Sequence, residues 1–295
     1  MNFIFNSLSN IFKFFEIVLK KIYKTIRILI FFAFTFVFII FGGFILYFIY
    51  KILIARLIQN KETTVANKFF YDCVIFFVKS FLDTFVEVKI WGKKNVPETG
   101  AKLFVSNHFS STDVLFMSSF IKDRTHMVLG PIYDIPVLKN LLRILEQIDA
   151  SYNNRKNVIT DAVRYINKKE SVYIFPEGDL NDQQNFLNFY NGAAKIYIES
   201  NGIAPIIPIG IVAAKKDVKE FKLFNMKAKE IKNKTYKSLN VLSGRYLINI
   251  GEPLEFKDLL NSDKTYDEKC NQITIFIKNY IKELVDEAKF DKFWN

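Results

Sequence analysis

The chain has 295 residues, enough for one large domain or for a domain with an appendage. Half of its residues are hydrophobic, its formal net charge is +11, and it contains only two cysteines and two histidines. This composition excludes a disulfide framework and argues against a His- or Cys-based metal site, so we expect no metal. The positive charge suits an anionic lipid surface or an acidic ligand. Because no nucleic-acid-binding module accompanies it, we expect no nucleic-acid partner.

The apolar residues are concentrated near the N-terminus. The run from Ile28 to Tyr50 contains no charged residue. As a helix it would be about 35 Å long, against about 30 Å for the hydrocarbon core of a bilayer. Basic residues flank the run on both sides, so two interpretations stay open: a transmembrane helix, or a hairpin that bends at Gly42-Gly43. Either way, we predict that residues 1–60 form a membrane-associated helical anchor at the cytoplasmic face of a cell membrane.

Strand-like and helix-like segments alternate after this anchor, beginning with a helical pattern over residues 61–85. The predicted strands are Val86–Trp91, Lys102–Ser106, His126–Leu129, Val172–Phe175, Ile206–Ile211 and Leu247–Gly251. The predicted helices lie at 112–122, 135–146, 156–168, 189–201 and 266–288. Short apolar strands without polar alternation are typical of a sheet covered on both faces. We therefore predict an α/β domain over residues 61–295, with a mixed or mostly parallel sheet flanked by helices and a ligand site at the carboxyl ends of strands.

The first motif that carries chemistry is VSNHFSSTDVLF, residues 105–116. It is predicted to run from a strand through a loop into a helix, with His108 in the loop and Asp113 in the first helical turn. A carboxylate that binds one imidazole nitrogen fixes the tautomer and leaves the other nitrogen available as a base. Alternatively, Asp113 stabilises only the helix N-terminus and His108 is an ordinary turn residue. The other histidine, His126, has no such partner nearby and is expected to be structural.

The second motif is VYIFPEGDLN, residues 172–181. An apolar strand is ended by Pro176, and Glu177 and Gly178 open a turn at the edge of the predicted sheet. Gly178 permits a tight turn or the close approach of a ligand. Glu177 is either a hydrogen-bond acceptor for a polyol or an ordinary carboxylate at a strand end.

In this order, the two motifs resemble the NHxxxxD and FPEGTRS blocks of the lysophosphatidate acyltransferase family of glycerolipid acyltransferases. The resemblance extends over residues 85–256. It includes three further segments: FLNFYNGAAK (186–195), APIIPIGI (204–211) and INIGEPLEF (248–256). The hydrophobic N-terminal segment also fits this family.

The resemblance implies direct transfer of a fatty acyl group from an acyl-CoA or acyl-carrier-protein thioester to a hydroxyl of a lyso-glycerolipid. His108 would be the general base and Asp113 its orienting partner. Asn107, Glu177 and Gly178 would contribute to substrate binding, with Asn107 supporting the loop. No cofactor and no covalent acyl-enzyme are implied, in agreement with the lack of a GxSxG motif. The expected acceptor is lysophosphatidate, which would be converted to phosphatidate in phospholipid biosynthesis.

The sequence departs from the family at the acceptor phosphate. Asp179 and Leu180 stand where the family block has threonine and arginine. A second phosphate arginine is expected where direct spacing places Tyr152, and Arg155 follows closely enough to substitute for it as a substrate-binding residue. Losing a bidentate arginine is not a conservative change at a phosphate site. Another lysophospholipid or hydroxylated lipid therefore remains open as the acceptor, as do a catalytically silent lipid-binding relative and a thioesterase.

Overall fold

The computed structural model describes residues 16, 18–36, 64–110, 113–121, 123–134, 136–181, 186–213, 219–222 and 240–291. They fall into two units, one within Met1–Lys68 and one within Phe69–Asn295. The predicted boundary between residues 60 and 61 lies outside the described residues.

Helix α1 comprises the described residues 18–36 of the first unit. Many of its large apolar side chains are exposed, including Leu29, Ile30 and Phe36. Residues 37–50 lie outside the described part, so the two interpretations of the run 28–50 stay predictions. No helix within the described residues has both the length and the apolar character needed to cross a bilayer.

The elements after α1 alternate much as predicted. The strands are β1 (Val86–Trp91), β2 (Leu103–Ser106), β3 (Thr125–Leu129), β4 (Ile148–Asp149), β5 (Ser171–Ile174), β6 (Ile206–Ala213), β7 (Lys219–Lys222) and β8 (Asn240–Ile250). The helices are α2 (Thr64–Phe85), α3 (Asp113–Phe120), α4 (Pro136–Ile144), α5 (Val158–Asn167), α6 (Gly192–Glu199), α7 (Lys257–Leu260) and α8 (Tyr266–Lys289). Short 3-10 turns lie at Lys93–Asn95, Pro131–Asp134 and Arg155–Asn157.

The described strands form one sheet in the order β1-β8-β6-β2-β5-β3-β4, with β7 paired to β8. Strands β6, β2, β5, β3 and β4 are mutually parallel. Strand β8 runs antiparallel to β6, and β1 is parallel to β8. The predicted class, an α/β fold with a mostly parallel, mixed sheet flanked by helices, is confirmed.

Both faces of the sheet are covered, as the apolar strands predicted. On β2, Phe104 contributes to a hydrophobic cluster that includes residues of α2 and α3. Its neighbours Leu103 and Val105 point to the opposite face and join a cluster with residues of α5, α6 and α8. All three side chains are fully buried. Strand β2 is therefore held rigidly at the centre of the sheet, directly before the first motif.

Three features of the sheet differ from the sequence-based prediction. Strand β8 begins at Asn240 rather than Leu247, and β4 and β7 were not predicted. Strand β4 has only two residues, too few to show any periodicity. The antiparallel direction of β8 depends on its pairing with β6, which an apolar pattern does not encode.

Candidate active site

The two motifs meet at one edge of the sheet. Strands β2 and β5 are parallel neighbours, with Val105 opposite Ile174, so the loops that follow them leave at the same edge. His108 lies two residues beyond β2, and Glu177 lies three residues beyond β5. The prediction of a site at the carboxyl ends of strands therefore agrees with the observed topology.

His108 and Asp113 are in direct contact. Nδ1 of His108 lies 3.0 Å from Oδ2 of Asp113. Because a carboxylate only accepts hydrogen bonds, Nδ1 carries the proton and donates it, which leaves the lone pair of Nε2 free. Nε2 has no hydrogen-bond partner among the described residues. The His108 side chain is 17% exposed whereas that of Asp113 is fully buried, so the open nitrogen belongs to the accessible member of the pair.

Asp113 also fixes the loop that carries His108. Its Oδ2 accepts the backbone N–H groups of Phe109 and Ser110 at 2.8 and 2.9 Å. Burial raises the pKa of the Asp113 carboxyl above its ordinary value, while the hydrogen bonds from His108, Ser110 and Phe109 lower it. Asp113 thus does more than stabilise a helix N-terminus, because the same oxygen holds the imidazole and the loop backbone.

Phe175 supports the other side of the imidazole. The rings of His108 and Phe175 are stacked, with centroids 4.0 Å apart and planes 24° from parallel. Phe175 itself is buried at the end of β5. The carboxylate on one ring nitrogen and the phenyl face beneath the ring together restrict the orientation of His108. The stacking was missed by the sequence analysis, although Phe175 is the first residue of the quoted FPEG block.

Glu177 holds the His108 loop in place through its carboxylate. Its Oε1 accepts the backbone N–H of His108 at 2.8 Å, and its Oε2 accepts the backbone N–H of Leu187 at 2.8 Å. Nδ2 of Asn181 donates to both oxygens, at 2.7 and 3.0 Å. Glu177 is only 2% exposed, and burial raises the pKa of its carboxyl while these donors lower it. Its observed contacts are those of a residue that positions His108.

Two asparagines also hold this loop in place through hydrogen bonds. The side chain of Asn107 pairs with the backbone of Ile211 on β6, donating to its carbonyl at 2.9 Å and accepting its N–H at 2.7 Å. This pair of hydrogen bonds ties the loop to β6, while a contribution of Asn107 to substrate binding stays a prediction. The backbone N–H of Asn181 donates to the carbonyl of His108 at 2.7 Å. Both backbone polar groups of His108 are therefore held by the FPEGDLN segment, a role of Asn181 that the sequence analysis missed.

Gly178 forms the turn that follows Glu177. Its N–H donates to the carbonyl of Phe175 at 3.1 Å, and its φ is +66°, a conformation that L side chains rarely adopt. The ring of Tyr190 lies against it, since a Cβ on Gly178 would be 3.0 Å from Cε2 of that ring. Gly178 therefore serves both the turn and a close contact with Tyr190.

The other residues singled out from the sequence lie apart from this cluster. Arg155 is exposed in the turn that follows β4, at the same edge of the sheet but two strands away from β5. His126 is fully buried, with Nδ1 against the carbonyl of Glu146 at 2.8 Å and Nε2 against the carboxylate of Glu170 at 2.9 Å. Burial lowers the pKa of His126. Both of its ring nitrogens are occupied, as a structural histidine requires.

The arrangement around His108 suits general-base chemistry on a hydroxyl group. A neutral imidazole with its Nδ1 proton held by a buried carboxylate can accept a proton at Nε2, and the carboxylate stabilises the resulting imidazolium. Within the described residues, no group of three or more His, Cys, Asp or Glu side chains is placed to hold a metal ion.

Comparison with known proteins agrees with this geometry. Residues 87–212, which contain both motifs, match the family model Acyltransferase. The chain is also similar to the crystal structure of the 1-acyl-sn-glycerophosphate (LPA) acyltransferase PlsC from Thermotoga maritima. The TM-score is 0.58 at 18% sequence identity, over 92% of this chain and 98% of that chain. At this identity the structural likeness shows the fold alone. Residues 87–212 are thus similar to the Acyltransferase family, as the two motifs predicted, and the fold is similar to that of an LPA acyltransferase.

Proposed function

We propose that this chain is a glycerolipid O-acyltransferase that moves a fatty acyl group from an acyl thioester to a hydroxyl of a lyso-glycerolipid. The observation that carries the proposal is the contact between Nδ1 of His108 and Oδ2 of Asp113 at 3.0 Å, inside a domain that matches the Acyltransferase family. A silent lipid-binding relative has no need of a partly accessible imidazole that contacts a buried carboxylate. The intact pair therefore supports catalysis.

In the proposed reaction, Nε2 of His108 takes the proton from the acceptor hydroxyl as its oxygen attacks the thioester carbonyl. The C–O bond forms, the C–S bond breaks, and the proton on Nε2 passes to the departing thiolate. Asp113 holds the imidazole in the required tautomer and stabilises its transient positive charge. His108 and Asp113 are the proposed catalytic residues, and no metal or other cofactor takes part.

The proposal includes attachment to a membrane through the N-terminal segment, at the cytoplasmic face. The exposed apolar side chains of residues 18–36 support it, because such surface is stabilised by contact with lipid. The donor is an acyl-CoA or an acyl-carrier protein, both of which present phosphate or acidic groups to a chain of net charge +11. Arg155 remains a proposed contact for such a phosphate.

Lysophosphatidate is the acceptor that the family resemblance implies first, and PlsC of Thermotoga maritima is described as an LPA acyltransferase. The FPEGDLN block lacks the arginine of the family motif, so a lysophospholipid with a larger head group is the alternative. The choice between them depends on the residues around Gly178.

An acyl-transfer assay on the purified full chain tests the proposed function. Labelled acyl thioester is supplied with and without a mixture of lyso-glycerolipids, and acylated lipid is separated from free fatty acid. We expect acylated lipid only when acceptor is present, and we expect His108→Gln to lower its formation by roughly 10²- to 10⁴-fold, the usual contribution of a general base. Fatty acid released at the same rate without acceptor would instead identify a thioesterase.

The second histidine provides a matched control. His126→Gln removes a buried, stacked ring and is expected to lower the unfolding temperature while the folded protein keeps its rate. His108→Gln should lower the rate and leave the unfolding temperature nearly unchanged, because other residues hold the backbone of the loop that carries His108. Full activity in His108→Gln would refute the proposed base.

A further inference from the structure

The two loops that form the candidate site contain no lysine or arginine. None occurs from Leu103 to Ile121 or from Glu170 to Ala194, in a chain with 41 such residues among 295. The loop that follows β5 in the second stretch does contain carboxylates, at Glu177, Asp179 and Asp182. The site loops are therefore acidic although the chain as a whole is basic.

Asp179 is a carboxylate of this site that is exposed to solvent. Glu177 is buried and bonded to His108, Leu187 and Asn181, whereas Asp179 is exposed. The only hydrogen bond of Asp179 within the described residues is from the N–H of the next residue, Leu180, to Oδ1 at 2.8 Å. Its Oδ2 is thus available to a ligand.

Tyr190 adds an aromatic surface beside the turn that carries this carboxylate. Its N–H donates to the carbonyl of Pro176 at 2.8 Å, and its ring lies on Gly178, the residue directly before Asp179. Tyr190 is nevertheless 63% exposed. The glycine contact covers one part of the ring and leaves the remainder open beside the site.

A carboxylate next to an open aromatic face attracts a cation. The ring quadrupole binds ammonium groups, and quaternary ammonium groups are recognised by aromatic surfaces of this kind. We propose that Asp179 and Tyr190 bind the ammonium group of the acceptor, so that the preferred acceptor is a lysophospholipid with a zwitterionic phospho-ammonium head group. This inference rests on the proposed function, because it assigns the substrate of that same site.

A bare phosphate fits these loops less well. A phosphate monoester carries between one and two negative charges at neutral pH, and Asp179 would repel it at short range. A zwitterionic head group instead presents its ammonium to the acidic turn. Its phosphate is a diester with a single negative charge, so Asp179 repels it less than it repels a phosphate monoester. Charge complementarity thus favours the alternative acceptor that the sequence left open.

The test compares three lyso-glycerolipids with the same acyl chain, assayed with the purified full chain in detergent micelles. One has a phosphate alone, one a phosphoglycerol and one a phosphocholine head group. We expect kcat/KM for the phosphocholine acceptor to exceed the other two by about tenfold, from one cation–π contact and one ion pair. Phosphoglycerol matches it in size but lacks the ammonium, so a difference between these two reports the positive charge.

Variants at the two residues locate the recognition. Tyr190→Phe keeps the ring and should keep the preference. Tyr190→Leu keeps an apolar contact with Gly178 and should lower kcat/KM for phosphocholine about fivefold, with phosphoglycerol unchanged. Asp179→Asn should act in the same direction, and Asp179→Arg should move the preference toward the bare phosphate. Tyr266→Leu and Asp263→Asn, on exposed residues near the start of α8 at the opposite edge of the sheet, serve as controls with no expected change.

The outcomes separate this inference from the proposed function. If no acceptor is acylated, the proposed function is wrong. If all three are acylated equally, or if the phosphate acceptor is preferred, the proposed function stands and the ammonium site is wrong. If Tyr190→Leu does not fold, Asp179→Asn and Asp179→Arg decide the matter, because Asp179 is exposed.

Discussion

A single carboxylate oxygen organises the candidate site at the level of residues. Oδ2 of Asp113 accepts hydrogen bonds from the imidazole of His108 and from two backbone N–H groups of the loop. The sequence placed His108 and Asp113 in the same loop and the following turn, but it left open whether the carboxylate serves the ring or the helix. The contact of 3.0 Å shows that it serves the ring.

Asp113→Asn is expected to keep the fold and lose the activity. A single atom of asparagine takes the place of Oδ2, which in the native chain accepts all three hydrogen bonds. If that atom is the amide nitrogen, its N–H groups oppose the two backbone N–H groups and move the proton of His108 from Nδ1 to Nε2. If it is the amide oxygen, the contacts stay but the negative charge that stabilises the imidazolium is lost. We expect kcat to fall by roughly 10³- to 10⁴-fold, measured by acyl transfer under saturating substrates. A variant that retains more than a tenth of the native rate would contradict the orienting role.

The stability of the same variant should depend on pH in a defined direction. Burial raises the pKa of Asp113 above 3.8, so the native protein is destabilised as pH rises through that raised value and the carboxyl ionises. Asparagine does not ionise, so it carries no cost of burying a charge at pH 7. The unfolding free energy of Asp113→Asn, relative to the native chain, should therefore be higher at pH 7 than at pH 4. Equal differences at the two pH values would argue that burial does not raise this pKa.

At the level of elements, the site is a junction between two strand ends. Glu177, beyond β5, accepts the N–H of His108, beyond β2, and Asn181 binds the carbonyl of the same residue. The sequence predicted both strands to within a residue at each end, and parallel pairing then brought the loops to one edge. The sequence did not predict that both carboxylate oxygens of Glu177 accept hydrogen bonds from the protein. The donors are residues 108, 181 and 187, which only the folded chain brings together.

Glu177→Gln tests this junction. Both carboxylate oxygens accept hydrogen bonds, so the amide nitrogen of glutamine would face an N–H from either His108 or Leu187. We expect a loss of about 1–3 kcal/mol in unfolding free energy. We also expect kcat to fall by up to about 100-fold as His108 moves, the usual consequence of a small displacement of a reacting group.

Glu170→Gln is the matched control for Glu177→Gln. Glu170 binds His126 away from the candidate site, so its replacement should affect stability but leave kcat unchanged. Equal kcat values for Glu177→Gln and the native chain would show that the junction does not position His108.

At the level of the whole molecule, charge is unevenly distributed. The net charge is +11, yet the loops around His108 lack lysine and arginine. Helix α1 combines the exposed cations Lys21 and Lys24 with exposed apolar side chains. Such a combination suits the surface of an anionic membrane.

Vesicle binding by the full chain tests the role of this segment. Binding should be tighter to vesicles that contain anionic lipid than to neutral vesicles, and the difference should shrink at high salt. Lys21→Gln with Lys24→Gln should weaken binding to anionic vesicles by about tenfold. The same charge change at two other exposed residues, Lys168 directly after α5 and Lys282 on α8, is the control. Equal loss in both double variants would mean that only the total charge matters.

The sequence by itself determined the alternation of elements, the two motifs and their place at strand ends, because apolar periodicity and turn residues are local properties of the chain. The fold class and the acyltransferase resemblance follow from these local signals. Only the tertiary structure decided the antiparallel direction of β8, the hydrogen bonds that the Glu177 carboxylate accepts, and the contact of Tyr190 with Gly178. Each depends on partners distant in the chain, and hydrogen bonds or ring contacts between such partners leave no pattern in the sequence.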